Sequence, residues 1–289
     1  NYEPNSWSED SGPRENPQTG FHSYPEHIQG EKQRVRSETF GDHYSQGRQF
    51  YISQTKVEQG HMANAFVFEL SKVEREDIRL RMVAHLLNMD KDLARAVATG
   101  LGIDELPAAA EAAMAPRDDL AVSDKLSILK NGPDSFHGRR VGVLTTDGVD
   151  AKLFTALKKA VEAAGANLTV VAPTIGGVKD SDGGQIPAGE KVDGGPSVLF
   201  DAVVLLPAAD KVDVLAQHSP ARDFVNDAFS HCKFIGYSKE ALPLFTATGL
   251  DSKLDGGCLA VDSAKEAADF LIECKLLRFW AREPVVHPL

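Results

Sequence analysis

The sequence predicts an α/β protein in which a doubly wound parallel sheet with an inserted β-hairpin follows an extended arm and an all-helical segment. Two observations predict the sheet: short β-branched and apolar runs recur after residue 138, and amphipathic stretches of helical period separate them. A third observation predicts the helical segment, because apolar residues before residue 103 recur three and four positions apart.

The first predicted unit is an extended wrapping segment, residues 1–36. These residues are polar, are interrupted by prolines and carry no periodic apolar stripe. Aromatic residues are nevertheless concentrated in the first 68 positions. We therefore expect this part of the chain to bury its aromatic rings against a partner surface.

Residues 37–102 are predicted to form a helical domain. Ser71 with Glu74 three positions later has the spacing of a capping box and predicts the start of one helix. Asp90 is predicted to cap the next helix, and Gly100 is predicted to end that helix at the C′ position.

Residues 103–137 are predicted to be an interdomain connector. Alanines dominate the stretch between Pro107 and Pro116, and the turn-forming sequence NGPD follows at 131–134. Such a segment can hold a short helix but cannot bury a core of its own. The boundary with the last domain is placed near Gly138.

Residues 138–289 are predicted to contain the parallel sheet. Five strands are expected, at 140–144, 168–172, 202–206, 233–237 and 258–261. Five helices are expected between and after them, at 150–164, 208–217, 220–231, 239–247 and 263–277. Ser219 before Pro220 and Ser263 with Glu266 are predicted helix N-terminal caps. The glycine-rich residues 175–197 are predicted to form a β-hairpin between the second and third strands.

Composition limits the classes of partner and cofactor. Thirty-one Lys and Arg against 42 Asp and Glu give a net charge of −11, so neither nucleic acid nor an anionic membrane is an expected partner. Three cysteines are too few and too widely spaced for a disulfide framework or a zinc site, and we interpret them as small buried apolar residues. The nine histidines lack the spacing of metal ligands, so no metal site is expected.

The chain opens at Asn1 with neither an initiator Met nor a signal-like apolar stretch. We therefore expect it to be a piece of a longer protein. No apolar run reaches 18 residues, which predicts a soluble protein, cytoplasmic or secreted, with no assignment between these compartments.

Several segments resemble large-subunit haem catalases. NYEPNSW is similar to the segment of that family that wraps around the catalytic barrel, and GHMANAFVFELSKVE is similar to part of the helical domain that follows. RRVGVLTTDGVD and PSVLFDAVVLLP resemble the flavodoxin-like C-terminal domain of the same family. The segments that carry the resemblance are residues 1–7, 42–46, 50–53, 60–74, 88–102, 139–150 and 196–207.

The resemblance implies a homotetrameric parent enzyme that dismutes hydrogen peroxide at a haem. In that family the iron binds a Tyr phenolate within an Arg-x-x-x-Tyr turn, and the distal His and Asn also lie on the catalytic barrel. None of the tyrosines here follows an arginine by four positions: Tyr2, Tyr24, Tyr44, Tyr51 and Tyr237. The resemblance thus implies no catalytic residue and no cofactor in this chain, whose role would be structural and stabilising, with haem bound only by the parent enzyme.

The last domain also resembles the DJ-1/PfpI type, whose nucleophile is a Cys on the turn after a central strand. Ser238 stands at that position in GYSKE, and Asp147 could replace the acidic partner. A hydrolase or glyoxalase-type activity that uses Ser238 is therefore an alternative function. Because no His follows Ser238, the preferred interpretation of Ser238 and Asp147 is as residues at helix N-termini.

A further hypothesis concerns unfolding client proteins as partners. Aromatic surface that has lost its burial partner, on an acidic body, is what a holdase offers to unfolded chains. The sequence thus suggests chaperone-like binding in addition to the structural role, and it leaves open which surface would bind.

Overall fold

The computed structural model describes residue 18 and residues 22–287. The predictions for residues 1–17 and 19–21, which include most of the aromatic start of the arm, lie outside the described residues. Residues 22–36 contain no helix or strand, and their side chains are exposed. A short 3₁₀ helix, Glu38–Gly41, follows them.

Four α-helices make up the helical segment. They are α1 (Ser45–Ser53), α2 (Lys56–Ser71), α3 (Glu76–Leu86) and α4 (Lys91–Gly100). Val83, Leu86, Leu93 and Val97 from α3 and α4 are almost completely buried and form the centre of one apolar cluster. This burial is expected from their spacing of three and four residues along each helix.

The prediction that Ser71 and Glu74 open a helix is wrong. Ser71 is the last residue of α2, and its hydroxyl donates to the carbonyl oxygen of Phe68. The reciprocal capping box lies instead at Thr55 and Glu58, where the Glu58 amide donates to Thr55 Oγ1 and the Thr55 amide donates to Glu58 Oε2. Both pairs have the same spacing, so local sequence alone does not separate them.

The other two helix-end predictions differ in outcome. Asp90 caps α4 as predicted, because its carboxylate accepts hydrogen bonds from the Asp92 and Leu93 amides. Gly100 is not the C′ residue, since it still belongs to α4. Gly102, with φ of +70°, adopts the left-handed conformation that ends the helix.

The C-terminal part holds a six-stranded parallel sheet. Its strands are β1 (Arg140–Thr145), β2 (Asn167–Ala172), β5 (Glu190–Lys191), β6 (Ala202–Leu206), β7 (Ile235–Tyr237) and β8 (Cys258–Ala260). They lie in the order β5-β2-β1-β6-β7-β8, and every neighbouring pair is parallel. The five predicted strands are all present. The edge strand β5 was missed because it has two polar residues and no apolar pattern.

Helices cover both faces of the sheet, which confirms the doubly wound arrangement. They are α5 (Ala151–Ala163), α6 (Val212–Gln217), α7 (Ser219–Ser230), α8 (Leu242–Ala247), α9 (Ala264–Glu273) and α10 (Glu283–Val286). Helices α5 and α9 pack on one face around Leu157 and Phe270. Helices α6, α7 and α8 pack on the other face around Phe224 and Phe245.

Three of these helices are shorter than predicted. The helix expected at 208–217 starts at Val212 because residues 208–211 form the loop after β6. The one expected at 239–247 begins as a 3₁₀ turn, Lys239–Ala241, before α8, and the one expected at 263–277 ends in another 3₁₀ turn, Cys274–Leu276. All three differences fall at helix ends, where short 3₁₀ turns are common.

Two predicted caps in this part have different outcomes. Ser219 is the first residue of α7 rather than its cap, and His218 precedes it with no side-chain capping bond. Ser263 caps α9 by accepting from the Glu266 amide. The Glu266 carboxylate accepts from the Asp262 amide, one residue earlier than in a reciprocal box.

The segment between β2 and β6 contains two further strands, β3 (Val178–Lys179) and β4 (Gln185–Ile186). They pair in antiparallel fashion, apart from the main sheet. Among the described residues, no helix is both long and apolar enough to cross a membrane.

Candidate functional site

The strands of the parallel sheet end at a common edge, where loops after β1, β6, β7 and β8 surround a cleft of about 510 Å³. The carboxyl edge of an open parallel sheet is the usual place for a binding site in this architecture. We call this cleft the carboxyl-edge cleft. A catalytic role for Ser238 and Asp147 would require both side chains to lie at it. The polar residues that line the cleft are Asp150, Lys152, Ser181, Ser238, Lys239, Glu240, Asp262 and Ser263.

Ser238 lies directly after β7 and lines the carboxyl-edge cleft. Ser238 as a whole is 2% exposed, and its Oγ has no hydrogen-bond partner among the described residues. The expected capping role of the side chain is wrong: Ser238 precedes the 3₁₀ turn, but its Oγ makes no capping bond. Instead, the Ala241 amide donates to the backbone carbonyl of Ser238.

Asp147 lies after β1 but does not cap α5, so its capping interpretation is also wrong. Its Oδ1 accepts a hydrogen bond of 2.8 Å from the Lys179 amide and thereby links β3 to the loop after β1. The cap of α5 is Asp150, which accepts from the Leu153 amide. Asp147 lines a different cavity, together with His218, so the structure does not bring Ser238 and Asp147 into one cavity.

The geometry around Ser238 does not assemble a serine nucleophile. Its backbone angles, φ of −80° and ψ of 160°, are those of ordinary extended chain rather than of a strained elbow. A serine nucleophile needs a base within hydrogen-bond reach, and the residues that line the cleft include no histidine. His231 lies before β7 and is exposed.

Three described tyrosines, Tyr44, Tyr51 and Tyr237, have surroundings that do not favour a role as haem-iron ligand. Burial raises the pKa of Tyr51 and of Tyr237, which disfavours the phenolate form that would bind iron. The Tyr44 hydroxyl is hydrogen-bonded to His85 Nδ1 at 2.8 Å. Across the described residues, no three or more His, Cys, Asp or Glu side chains cluster closely enough to hold a metal ion.

The cysteines are poorly reactive thiols. Cys232 and Cys274 are buried, and burial raises the pKa of both. Burial also raises the pKa of the half-buried Cys258 to about 11. At neutral pH these groups are protonated, so they lack the thiolate that nucleophilic or metal-binding chemistry requires.

A polar contact surface lies on the helical segment, away from the sheet. Ser45, Gln49 and Ser53 recur at four-residue spacing along one face of α1 and bind the backbone of the connector. The Arg117 amide donates to Ser45 Oγ at 2.8 Å, and the Ser123 amide donates to Ser53 Oγ at 3.0 Å. Gln49 Nε2 donates to the Ala121 carbonyl at 3.1 Å.

Glu58 extends this surface onto α2. Its carboxylate accepts from the Thr55 amide and hydroxyl, from the Ser127 hydroxyl and from the Leu129 amide, at 2.8–3.0 Å. Burial disfavours the charged form, but these hydrogen bonds outweigh it and lower the pKa of Glu58 to about 2. We call Ser45, Gln49, Ser53 and Glu58 the docking stripe. Sequence analysis missed it, although its spacing was visible.

Besides the docking stripe, a second contact, or joint, links the helical segment to residues 280–283 near the end of the described chain. His61 Nε2 on α2 lies 2.6 Å from Glu283 Oε1 on α10, and the His61 ring meets the Trp280 ring edge-on at 4.8 Å. Next to this joint, the buried guanidinium of Arg282 forms two hydrogen bonds of 2.7 Å with Asp255. Such a bidentate pair fixes the end of the chain onto the sheet.

Comparison with known proteins identifies the family. A family described as "C-terminal domain found in long catalases" matches residues 137–284, and one described as "Catalase-related immune-responsive" matches residues 37–101. This chain belongs to the large-subunit catalases. The two matched regions flank the connector, whose docking onto α1 and α2 joins one to the other.

Individual catalases match nearly the whole chain. The chain is 53% identical to Catalase C of Rhizobium meliloti over 286 residues, which are 99% of this chain and 40% of that protein. It is 41% identical to Catalase HPII of Pseudomonas putida over 98% of this chain and 39% of that protein. It is 31% identical to Catalase-B of Dictyostelium discoideum over 93% of this chain. The chain thus spans about two fifths of the length of the first two catalases.

Proposed function

We propose that this chain is the structural and stabilising C-terminal portion of a large-subunit catalase that dismutes hydrogen peroxide, and that the haem and catalytic residues belong to another part of the parent polypeptide. The alignment supports this, because it covers 99% of this chain but 40% of Catalase C. Self-association, as in a homotetrameric parent, belongs to the same proposal.

The observation that carries the structural role is the docking stripe. Four side chains on α1 and α2 bind the connector between residues 117 and 129, which supports a role in fixing the path of the chain between the helices and the sheet-containing part. Without the edge strand β5, the strands of that part lie in the order β2-β1-β6-β7-β8. Numbered along the chain, this order is 2-1-3-4-5, which is the order of flavodoxin-like folds. We propose that this flavodoxin-like body protects the parent enzyme against unfolding.

Thermal inactivation of the parent enzyme tests this role. We expect deletion of residues 138–289 to shorten the half-life of activity at a fixed high temperature by about tenfold or more, while the initial rate of peroxide consumption per haem stays the same. The matched control is Glu69→Gln, an exposed change outside the docking stripe. An unchanged half-life after the deletion would contradict a stabilising role.

A second role, chaperone-like binding of unfolding proteins, is favoured by exposed apolar side chains. Phe40 and Phe68 are each 63% exposed, and the stretch before Phe40, which has no helix or strand, exposes Tyr24, Ile28 and Val35. Exposed apolar surface on an acidic chain suits a holdase, because it binds apolar segments while its charge keeps the complex in solution.

Light scattering of a heated client protein tests this second role. We expect an equimolar amount of this chain to reduce the scattering, and the double variant Phe40→Ser/Phe68→Ser to lose most of the effect. The control is Val214→Ser/Ile272→Ser, which removes exposed apolar side chains from the sheet-containing part instead. If this chain leaves the scattering unchanged, the holdase role is refuted.

A further inference from the structure

One edge of the parallel sheet is left partly open at β2. The backbone groups of the odd-numbered residues of β2 point to β1, as the hydrogen bond from the Asn167 amide to the Arg139 carbonyl shows. Those of the even-numbered residues point to the opposite edge, where the Gly189 amide donates to the Val170 carbonyl. Strand β5 then pairs with the last two residues of β2. The edge is therefore covered only from the Val170 carbonyl onward.

Three backbone groups on the open part of this edge have no partner. They are the amide and the carbonyl of Leu168 and the amide of Val170, none of which makes a hydrogen bond within the described part of the chain. Pro187 lies beside this edge and has no N–H, so the segment that leads to Gly189 cannot supply a donor there. Free N–H and C=O groups in a row on a strand edge form the template for one more strand.

A groove of about 600 Å³ lies at this open edge. It is bounded by β2, by α5 and by residues 185–189, and its apolar lining includes Phe154, Leu168 and Ile186. Because α5 and residues 185–189 both border the groove, a single extended chain can enter it more easily than the edge of a second folded copy, which would bring its own helices with it.

The charges that line the groove cancel. Lys158 and Glu162 are the charged residues of its lining among the described residues, and they lie four positions apart on α5, with Lys158 Nζ 4.0 Å from Glu162 Oε1. The other lining side chains are apolar or uncharged. An uncharged segment therefore matches the groove, whereas the net charge of −11 on the whole chain disfavours an acidic one.

We propose that the open edge of β2 binds an extended, uncharged peptide segment of another protein, which adds a strand beside Leu168. Carbonyls of the peptide accept from the Leu168 and Val170 amides, and one peptide amide donates to the Leu168 carbonyl. In such strand addition the backbone hydrogen bonds supply affinity, and the apolar groove selects apolar side chains at alternate positions of the peptide. The site uses neither the docking stripe nor Phe40 and Phe68, so it does not rest on the roles proposed above.

A peptide titration of the full 289-residue chain, followed through its backbone amide NMR signals, tests the proposal. The probe is the synthetic, acetylated and amidated peptide SVTVTVS, and the comparison is the same peptide with every backbone nitrogen methylated, which leaves it no backbone donor. The test variant is Leu168→Pro, which removes the amide that points to the open edge and no hydrogen bond to β1. The matched control is Leu168→Ala, which keeps this amide.

We expect SVTVTVS to bind with a dissociation constant of about 1 mM and to shift the Leu168 and Val170 amide signals, while the methylated peptide does not bind. Leu168→Pro should bind about tenfold more weakly than Leu168→Ala. If Leu168→Pro does not fold, the two peptides on the unaltered chain decide the question.

The proposal is overturned if SVTVTVS shows no saturation up to about 10 mM, if the methylated peptide binds equally well, or if the shifted signals lie away from β2. It is also overturned if Leu168→Pro, once folded, binds as Leu168→Ala does. A dimer of the unaltered chain that Leu168→Pro abolishes would assign the edge to a second copy and would overturn it too.

Discussion

Glu58 illustrates how one side chain joins segments that are far apart in sequence. Its carboxylate closes the capping box of α2 and also accepts hydrogen bonds from the connector at Ser127 and Leu129, 69 and 71 residues further along. A carboxylate that accepts several hydrogen bonds is stabilised in its charged form, which is why its pKa is about 2.

Replacement of Glu58 by Gln tests this joint. We expect Glu58→Gln to lower the free energy of unfolding of the helical segment by about 1–2 kcal/mol, because a neutral amide has one acceptor oxygen where the carboxylate has two. Urea unfolding followed by circular dichroism measures the loss. Glu69→Gln, at an exposed position of the same helix, is the control and should change stability by less than about 0.5 kcal/mol.

The pH dependence of stability provides a second measurement on Glu58. Its pKa is lower in the folded chain than the ordinary value of 4.5, so the unfolded chain binds a proton first as the pH falls. The stabilisation is therefore complete above about pH 5 and is lost progressively toward pH 2. In Glu58→Gln this part of the acid destabilisation should be missing; identical acid profiles of the two proteins would contradict the assignment.

At the scale of elements, the docking stripe holds the connector against α1 and α2. The connector has no apolar period, so periodicity predicted a linker, and it could not show that backbone amides and carbonyls would be the contact groups. The stripe itself had a sequence signal, since Ser45, Gln49 and Ser53 share one face of α1 at four-residue spacing. That signal was ambiguous, because polar residues at such spacing also mark a solvent-exposed face.

Limited proteolysis tests whether the docking stripe holds the connector in place. The triple variant Ser45→Ala/Gln49→Ala/Ser53→Ala removes three hydrogen bonds to the connector, so trypsin should cut after Lys125 at least about tenfold faster. Gln46→Ala, at an exposed position of the same helix, should leave the cleavage rate unchanged. Equal rates in the triple variant and the unaltered chain would show that the stripe does not hold the connector.

The parallel sheet was the most predictable element. Four of its five main strands, β1, β2, β6 and β7, are apolar runs that are mostly buried between helices on both faces, which is the pattern that short β-branched runs indicate; β8 is only partly buried. Helix ends were predicted less well, because several sequences with capping-box spacing compete and only packing selects among them. Ser71 and Thr55 differ in this way: Ser71 ends a helix in which Phe66 and Leu70 pack partly against the apolar cluster, whereas Thr55 follows the break after α1.

A glycine inside β1 gives a specific test of sheet packing. A Cβ added to Gly142 would overlap the Phe200 ring, which packs over the strand. We expect Gly142→Ala to destabilise the sheet by about 1–3 kcal/mol, seen as a fall of several degrees in the melting temperature. Gly194→Ala is the control, because its added Cβ would lie 3.9 Å from the Lys191 carbonyl oxygen, an ordinary contact distance. Equal melting temperatures would contradict the close packing.

At the scale of the whole molecule, two joints connect the helices to the sheet-containing part. The connector docks on α1 and α2, and the His61–Glu283 pair links α2 to α10. Sequence predicted the order of the parts and the family resemblance, but not these joints, because each depends on single polar side chains from distant positions. The candidate residues Ser238 and Asp147 were correctly placed after strands, yet their separation between two cavities required the structure.

The central claim is that this chain supports a catalase without carrying its haem centre. The most direct measurement is the absorption spectrum of the purified 289-residue chain during titration with haemin, with oxygen release from hydrogen peroxide recorded on the same samples. We predict no saturable Soret band at stoichiometric haemin and no oxygen release above that of free haemin. A stoichiometric haem complex that releases oxygen from peroxide would contradict the claim.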